Sequence, residues 1–299
     1  PYRRQRQMCI RDRVVGLPKD PETLDPAVTM DNTSWSITYP AYERLVRYKT
    51  VDGKASTEVE PWLAKSWDVS GDGLTWTFHL ADGHKFADGS PVDAKAVKFS
   101  IERVQKMKKG PSDYFKVVES IETPDASTVV FHLKKPFAPF IYTFAVNASG
   151  IVNPKVMDQA KDNDMGTSYL ATHTMGSGAY EITSYTPSQS IKIDAQKNYA
   201  GKAPAISHVI FHIIKDPSAQ RLQLEKGDLD IAQGIPMDQI DQLKSNKEIH
   251  VYEDPSLLCS LVYLNNQKGP TANKDFRRAL SYAIDYKAVI DGAVKGRGE

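Results

Sequence analysis

Residues 61–80 read Pro61-Trp62-Leu63-Ala64-Lys65-Ser66-Trp67-Asp68-Val69, then Ser70-Gly71-Asp72-Gly73, then Leu74-Thr75-Trp76-Thr77-Phe78-His79-Leu80. Leu74, Trp76, Phe78 and Leu80 alternate with Thr75, Thr77 and His79, the period of a strand with one buried face. Gly71 and Gly73 accept positive φ at little cost, so the spacing predicts a tight reversal between Val69 and Leu74. A second turn, Ala87-Asp88-Gly89-Ser90-Pro91, leads into Asp93-Ala94-Lys95-Ala96-Val97-Lys98-Phe99-Ser100-Ile101-Glu102-Arg103-Val104. There Asp93 is placed to cap a helix whose apolar stripe is Val97, Ile101 and Val104. Hairpin, loop and capped helix within one segment predict a mixed α/β domain.

Outward from this stretch, the composition excludes several classes. The chain has 299 residues, 40% hydrophobic and 25% charged, with a formal net charge of +1. That length allows two domains. The near-neutral charge gives no electrostatic reason to expect nucleic acid or an acidic membrane as partner. No apolar run approaches the roughly 20 residues that span a bilayer. Cys9 and Cys259, the two cysteines, make no disulfide framework and fix no compartment.

The segment Leu63–Val104 resembles the extracytoplasmic solute-binding proteins of peptide and nickel ABC importers, family 5. The likeness runs from about Val14 to Arg297 and includes Leu24-Asp25-Pro26, the turn Gly176-Ser177-Gly178-Ala179-Tyr180 and the unit Gln223–Ala232. It implies an α/β, two-lobed periplasmic-binding-protein type II (cluster C) fold, with a first lobe nearly complete and a second lobe truncated. Residues 14–50 and 177–256 are then the first-lobe core, 51–176 an inserted subdomain, and 257–299 a crossing strand and the start of the second lobe. Residues 1–13, strongly basic and without an apolar h-region, are no secretory signal and are expected to be foreign to the fold or disordered. Periplasmic or extracytoplasmic, membrane-anchored localisation follows from the resemblance alone.

The same resemblance supplies the site candidates. The loop after Leu24-Asp25-Pro26 faces ligand in relatives, and Met30, Asp31 and Asn32 match it by position. Tyr114, in Gly110-Pro111-Ser112-Asp113-Tyr114-Phe115, lines up with a family tyrosine that reaches the ligand. Leu257–Asn266 is similar to the strand that crosses between lobes, and Cys259 and Leu261 are its ligand-facing candidates. The implied ligand is a peptide, delivered to membrane permease subunits by a monomeric receptor; a nickel chelate or other small solute is the alternative.

Elsewhere, hydrophobic spacing predicts strands at 14–17, 127–133, 190–195, 208–214, 228–232 and 249–253. Helical spacing runs over 36–46, over 218–227 with Ser218 as cap, over 236–244, and from Asp275 along Phe276, Ala279, Leu280, Ala283 and Ile284. Residues 158–175 are read as a surface helix and loop. Gly176–Tyr180 is not a phosphate loop, since no Gly-Lys-Ser/Thr follows it. No Gly-x-Ser-x-Gly, His-Glu-x-x-His or dinucleotide fingerprint occurs, and no carboxylate pair is singled out, so no catalytic residue, cofactor or metal is expected. His208 and His212 would lie about 13 Å apart on one side of a strand, too far to share a metal.

Overall fold

A computed structural model describes residues 12–253 and 261–298. The first eleven residues and the 257–260 part of the expected crossing strand, Cys259 included, lie outside the described residues. The chain divides into two compact units, between Gly234 and Ile235.

The first unit holds strands β1 (Asp12–Leu17), β2 (Val46–Val51), β3 (Lys54–Pro61), β4 (Ala64–Val69), β5 (Thr75–Leu80), β6 (Val118–Glu122), β7 (Thr128–Leu133), β8 (Tyr180–Thr186), β9 (Ser190–Ala195), β10 (His208–Ile213) and β11 (Ile231–Ala232). Its longer helices are α1 (Asn32–Ala41), α2 (Ala94–Met107) and α3 (Pro217–Lys226). One sheet has the order β11-β1-β10-β9-β8, with β1 parallel to both its neighbours. A second has the order β4-β5-β7-β6, and β2 and β3 form a separate ribbon.

The hairpin read from residues 64–80 forms β4 and β5, with Gly73 at φ +70° in the turn. Trp76, Phe78 and Leu80 point inward from β5, and Val129, Phe131 and Leu133 from β7. Register places Trp76 opposite Phe131 and Phe78 opposite Val129, so the two apolar faces coincide. Phe140 and Phe144, from the 3-10 helix Ala138–Phe144, close over them. Asp93 caps α2 by accepting from Ala96 N at 2.8 Å, and Val97, Ile101 and Val104 are buried in the same core.

Several elements depart from their predicted form. Asp12 and Arg13, expected outside the fold, open β1 and pair with His208 and Val209. Helix α1 starts at Asn32 because Asp31 caps it, and it ends at Ala41, one residue past Pro40. Tyr42, Leu45 and Val46 mimic helical spacing because that whole connecting run is buried, not because they share a helix face. Helix α3 is capped by Asp216, whose Oδ1 accepts from Ala219 N at 2.6 Å, rather than by Ser218; Gly227 ends it in the left-handed region. The 228–232 strand shortens to Ile231–Ala232.

Gly176 and Gly178 have a packing reason to be glycine. A Cβ at Gly176 would lie 2.0 Å from the carbonyl oxygen of Ala41, and one at Gly178 2.3 Å from that of Pro40. The turn therefore lets backbone rest on backbone, which is what a Gly-rich run permits without any phosphate.

The second unit contains α4 (Met237–Lys244), α5 (Lys274–Ala283) and α6 (Tyr286–Ala293). Residues 249–253 form no strand, and neither do the described residues of the 257–266 stretch. A strand needs a hydrogen-bonding neighbour, and among the described residues none pairs with either segment. Asn273 caps α5 by accepting from the backbone N–H of Asp275 and Phe276. Phe276 and Ile284 on the predicted stripe are exposed.

Candidate functional site

Met30, Asp31, Asn32 and Tyr114 all belong to the first unit, and the fold brings their two loops together. The loop leading to α1 is held by Asp25, whose backbone oxygen accepts from Val28 N and Thr29 N at 3.1 and 3.0 Å. Asp25 Oδ1 accepts from Ala27 N at 3.0 Å. Its two carboxylate oxygens also receive Arg103 Nη1 and Nη2 at 2.7 and 2.6 Å, with both side chains fully buried. Arg103 further donates to Met165 O and Thr167 Oγ1, so this one bidentate pair ties the site loop to α2 and to the single helical turn Thr167–Leu170.

Met30 emerges from this loop half exposed, and its Cγ would stand 3.2 Å from a Cβ placed on Gly110. Gly110 starts the 3-10 helix Gly110–Phe115 that carries Tyr114, which is 37% exposed, while Phe115 anchors the same helix in the core. Pro111 is the second residue of this helix, where its missing N–H would have had no partner in the first turn. Asn32 is exposed in the first turn of α1.

Asp31 is differently placed. It accepts from Ser34 N at 3.0 Å and Ser34 Oγ at 2.9 Å, and it pairs with Lys19 Nζ at 2.6 Å. Burial pushes its carboxyl upward, but the hydrogen bonds from Lys19 and Ser34 and the Lys19 charge outweigh burial and hold it below the ordinary range. Asp31 is thus a helix cap first. Asp31→Ala is expected to cost about 1 kcal/mol of stability. Because the folded value is depressed, the carboxylate's contribution is present above the unfolded value of about 3.9 and is lost as pH falls through the folded value. Acid titration of unfolding free energy checks this: the Ala variant and wild type should converge at low pH.

Leu261 is 64% exposed and lies in the second unit, and Cys259 falls outside the described residues.

Sequence reading missed a set of tyrosines beside Tyr114. Tyr48 stacks on Tyr142 with ring centroids 6.4 Å apart. Burial pushes the Tyr48 hydroxyl up, and the neighbouring phenols of Tyr39, Tyr142 and Tyr114 add to the shift. Tyr39, seven residues after Asn32, shares the exposed face of α1 with it. That spacing was the available signal. Behind the Tyr114 helix, a cavity of about 450 Å³ is lined by Gln105, Lys108, Ser112, Asp113, Lys116 and Lys134. Lys116 is paired with Asp113, and Lys134 donates to the Lys116 carbonyl.

The arrangement offers a methionine, an amide and several phenols on a rigid support. Such a surface suits contact with an uncharged backbone and varied side chains. Among the described residues no cluster of His, Cys, Asp or Glu has metal-binding geometry; His208 instead contacts Asp194 Oδ1 at 2.6 Å. No helix among the described residues is long and apolar enough to cross a membrane.

A family model described as bacterial extracellular solute-binding proteins, family 5 middle, matches residues 58–299. A "probable D,D-dipeptide-binding periplasmic protein" of Escherichia coli is 45% identical over 287 residues, covering 96% of this chain and 55% of that protein. An ABC-transporter-associated periplasmic binding protein of Helicobacter pylori, solved in complex with the peptide STSA, matches with a TM-score of 0.84 at 28% identity. That match covers 99% of this chain and 60% of the other. A Campylobacter jejuni protein solved with Ni(L-His) matches with a TM-score of 0.81 at 22% identity, over 96% of this chain and 56% of that one, a likeness of fold. The chain spans little more than half the length of the relatives it matches.

Proposed function

The chain belongs to family 5 of the bacterial extracellular solute-binding proteins, and on that premise we propose that it serves an ABC importer by capturing di- or oligopeptides. The observation that carries this reading is the 45% identity, along 96% of the chain, to a relative named for dipeptide binding. The fold is that of type II periplasmic binding proteins. In our reading the first lobe, with residues 51–176 as an inserted subdomain, supplies one wall of a ligand cleft through Met30, Asn32 and Tyr114. An extended peptide would satisfy its backbone by strand-like hydrogen bonds, its side chains resting in wet, permissive surroundings. Leu261 and Cys259 are kept as candidates for the crossing segment.

Binding would stabilise a closed form through contacts made only there. That form would then be presented to membrane permease subunits by a monomeric, periplasmic or membrane-anchored receptor. In our reading the role is capture without chemical change, in keeping with membership of a solute-binding family.

Calorimetry with a dipeptide pool against nickel–histidine tests the reading. Heat from the peptides supports it; heat from the nickel chelate alone would end it in favour of a chelate receptor on the same scaffold. Tyr114→Ala should weaken peptide binding about tenfold, the worth of one aromatic contact of roughly 1.4 kcal/mol. The thermal midpoint should stay unchanged, because the ring is partly in solvent. Unaltered affinity would remove Tyr114 from the site.

A further inference from the structure

Arg44 is a buried cation to which the described residues offer no hydrogen-bond acceptor. It follows Glu43 in the connection between α1 and β2, and its relative exposure is 0%. None of Nε, Nη1 and Nη2 has a hydrogen-bond partner among the described residues. Buried guanidinium groups are normally paired. Arg103 in this same unit follows that rule, with four donated hydrogen bonds, two of them to Asp25.

What surrounds Arg44 is aromatic. Its Cζ lies 3.6 Å from the centroid of the Tyr39 ring and 4.7 Å from that of Trp62. Two ring faces stabilise the charge but accept no strong hydrogen bond in the guanidinium plane. The adjacent carboxylate, Glu43, directs Oε2 to His84 Nδ1 at 3.0 Å and supports Arg44 by its field without bonding to it. Burial pushes the arginine down to about 10, which still leaves it charged at neutral pH. Trp62 is partly buried, whereas Tyr39 is 40% exposed. The ring that covers the guanidinium is therefore itself at the surface, in the last turn of α1. Tyr39 is also one of the phenols grouped around Tyr48 with Tyr114.

We propose that Arg44 is the base of a latent carboxylate site whose lid is the Tyr39 ring. Side-chain rotation at Tyr39 exposes the fork of Nη1 and Nη2, and a carboxylate enters to take two parallel N–H···O bonds. Trp62 stays behind as the fixed wall. The cation has already been desolvated by folding, so the incoming anion gains a pairing in low dielectric without stripping water from the arginine. Arginine suits the task because its planar fork matches the two carboxylate oxygens, which a lysine ammonium does not. The ligand class is a carboxylate-bearing solute, and the site stands whether or not the peptide reading holds.

The test titrates the chain with sodium acetate, using sodium chloride at matched ionic strength as control. Nitrogen-labelled arginine lets the Arg44 Nε–H be followed by NMR, and Arg44→Met assigns its signal. The expected result is a saturable shift with acetate that chloride does not reproduce. Tyr39→Ala removes the lid and its competing ring contact, and should tighten acetate about tenfold. Arg44→Lys should weaken it. An acetate response equal to that of chloride, or an affinity indifferent to Tyr39→Ala, would overturn the proposal. Tyr39 is a surface residue, so its variant keeps the test decisive even if Arg44→Met fails to fold.

Discussion

Asp25→Ala is expected to lower the unfolding free energy by about 3–5 kcal/mol, because it strands the buried Arg103 guanidinium without its counter-charge. Both side chains are fully buried, and the two bonds between them measure 2.7 and 2.6 Å. The loss has a second part. Asp25 also organises the loop to Met30 through Ala27 N, Val28 N and Thr29 N, of which only the backbone-accepted bonds survive the substitution. The expected sequel is weaker ligand binding in whatever fraction stays folded. Urea denaturation measures the effect as a lower midpoint at unchanged slope. The double replacement Asp25→Leu with Arg103→Met should be milder than Asp25→Ala alone, since it leaves no lone charge in the core. A loss below about 1 kcal/mol for Asp25→Ala would mean that water reaches Arg103 and that the pair is not the tie described here.

Phe144→Ala should cost a similar amount, about 3–5 kcal/mol, by a different mechanism. Phe144 is fully buried, and its ring centroid lies 4.9 Å from those of Phe78, Phe131 and Phe140 and 5.8 Å from that of Phe115. Removing it opens a cavity bounded by rings on both strands and on the 3-10 helix, so no single neighbour can relax to fill it. Phe115 directly follows Tyr114, and the cavity also loosens the support of that candidate ligand contact. Thermal unfolding reads the stability term. Phe144→Leu should retain most of the stability, whereas equal losses for Leu and Ala would point to ring-specific geometry instead of volume.

The two predictions mark where sequence reading was sufficient and where it was not. Phe78 was legible as a core residue from alternation alone, and its helix partner from Asp93 and a three-residue stripe. Phe144 was not, because its 3-10 helix, Ala138–Phe144, has Pro139 in its first turn and Pro136 just before it, in a run without clean periodicity. Asp25 read as part of the Leu24-Asp25-Pro26 step that precedes the ligand-facing loop, but its arginine lies far along the chain in a helix whose own pattern is satisfied without it. Of the site candidates, Asp31 carries helix-cap chemistry that a loop alignment cannot distinguish from ligand chemistry.

By itself the sequence determined the local elements whose signals repeat within a few residues: the β4–β5 hairpin, the capped α2 and the glycine turn at 176–178. It also determined family membership, since a long ordered run of such signals is far more specific than any one of them. Only the tertiary structure decided which strands share a sheet, that Met30 meets the Tyr114 helix, that Asp25 owns Arg103, and that Arg44 is left facing aromatic rings. Each of those is a contact between distant segments. Periodicity says which face of an element is buried, but the partner it is buried against is chosen by packing and charge compensation across the whole unit.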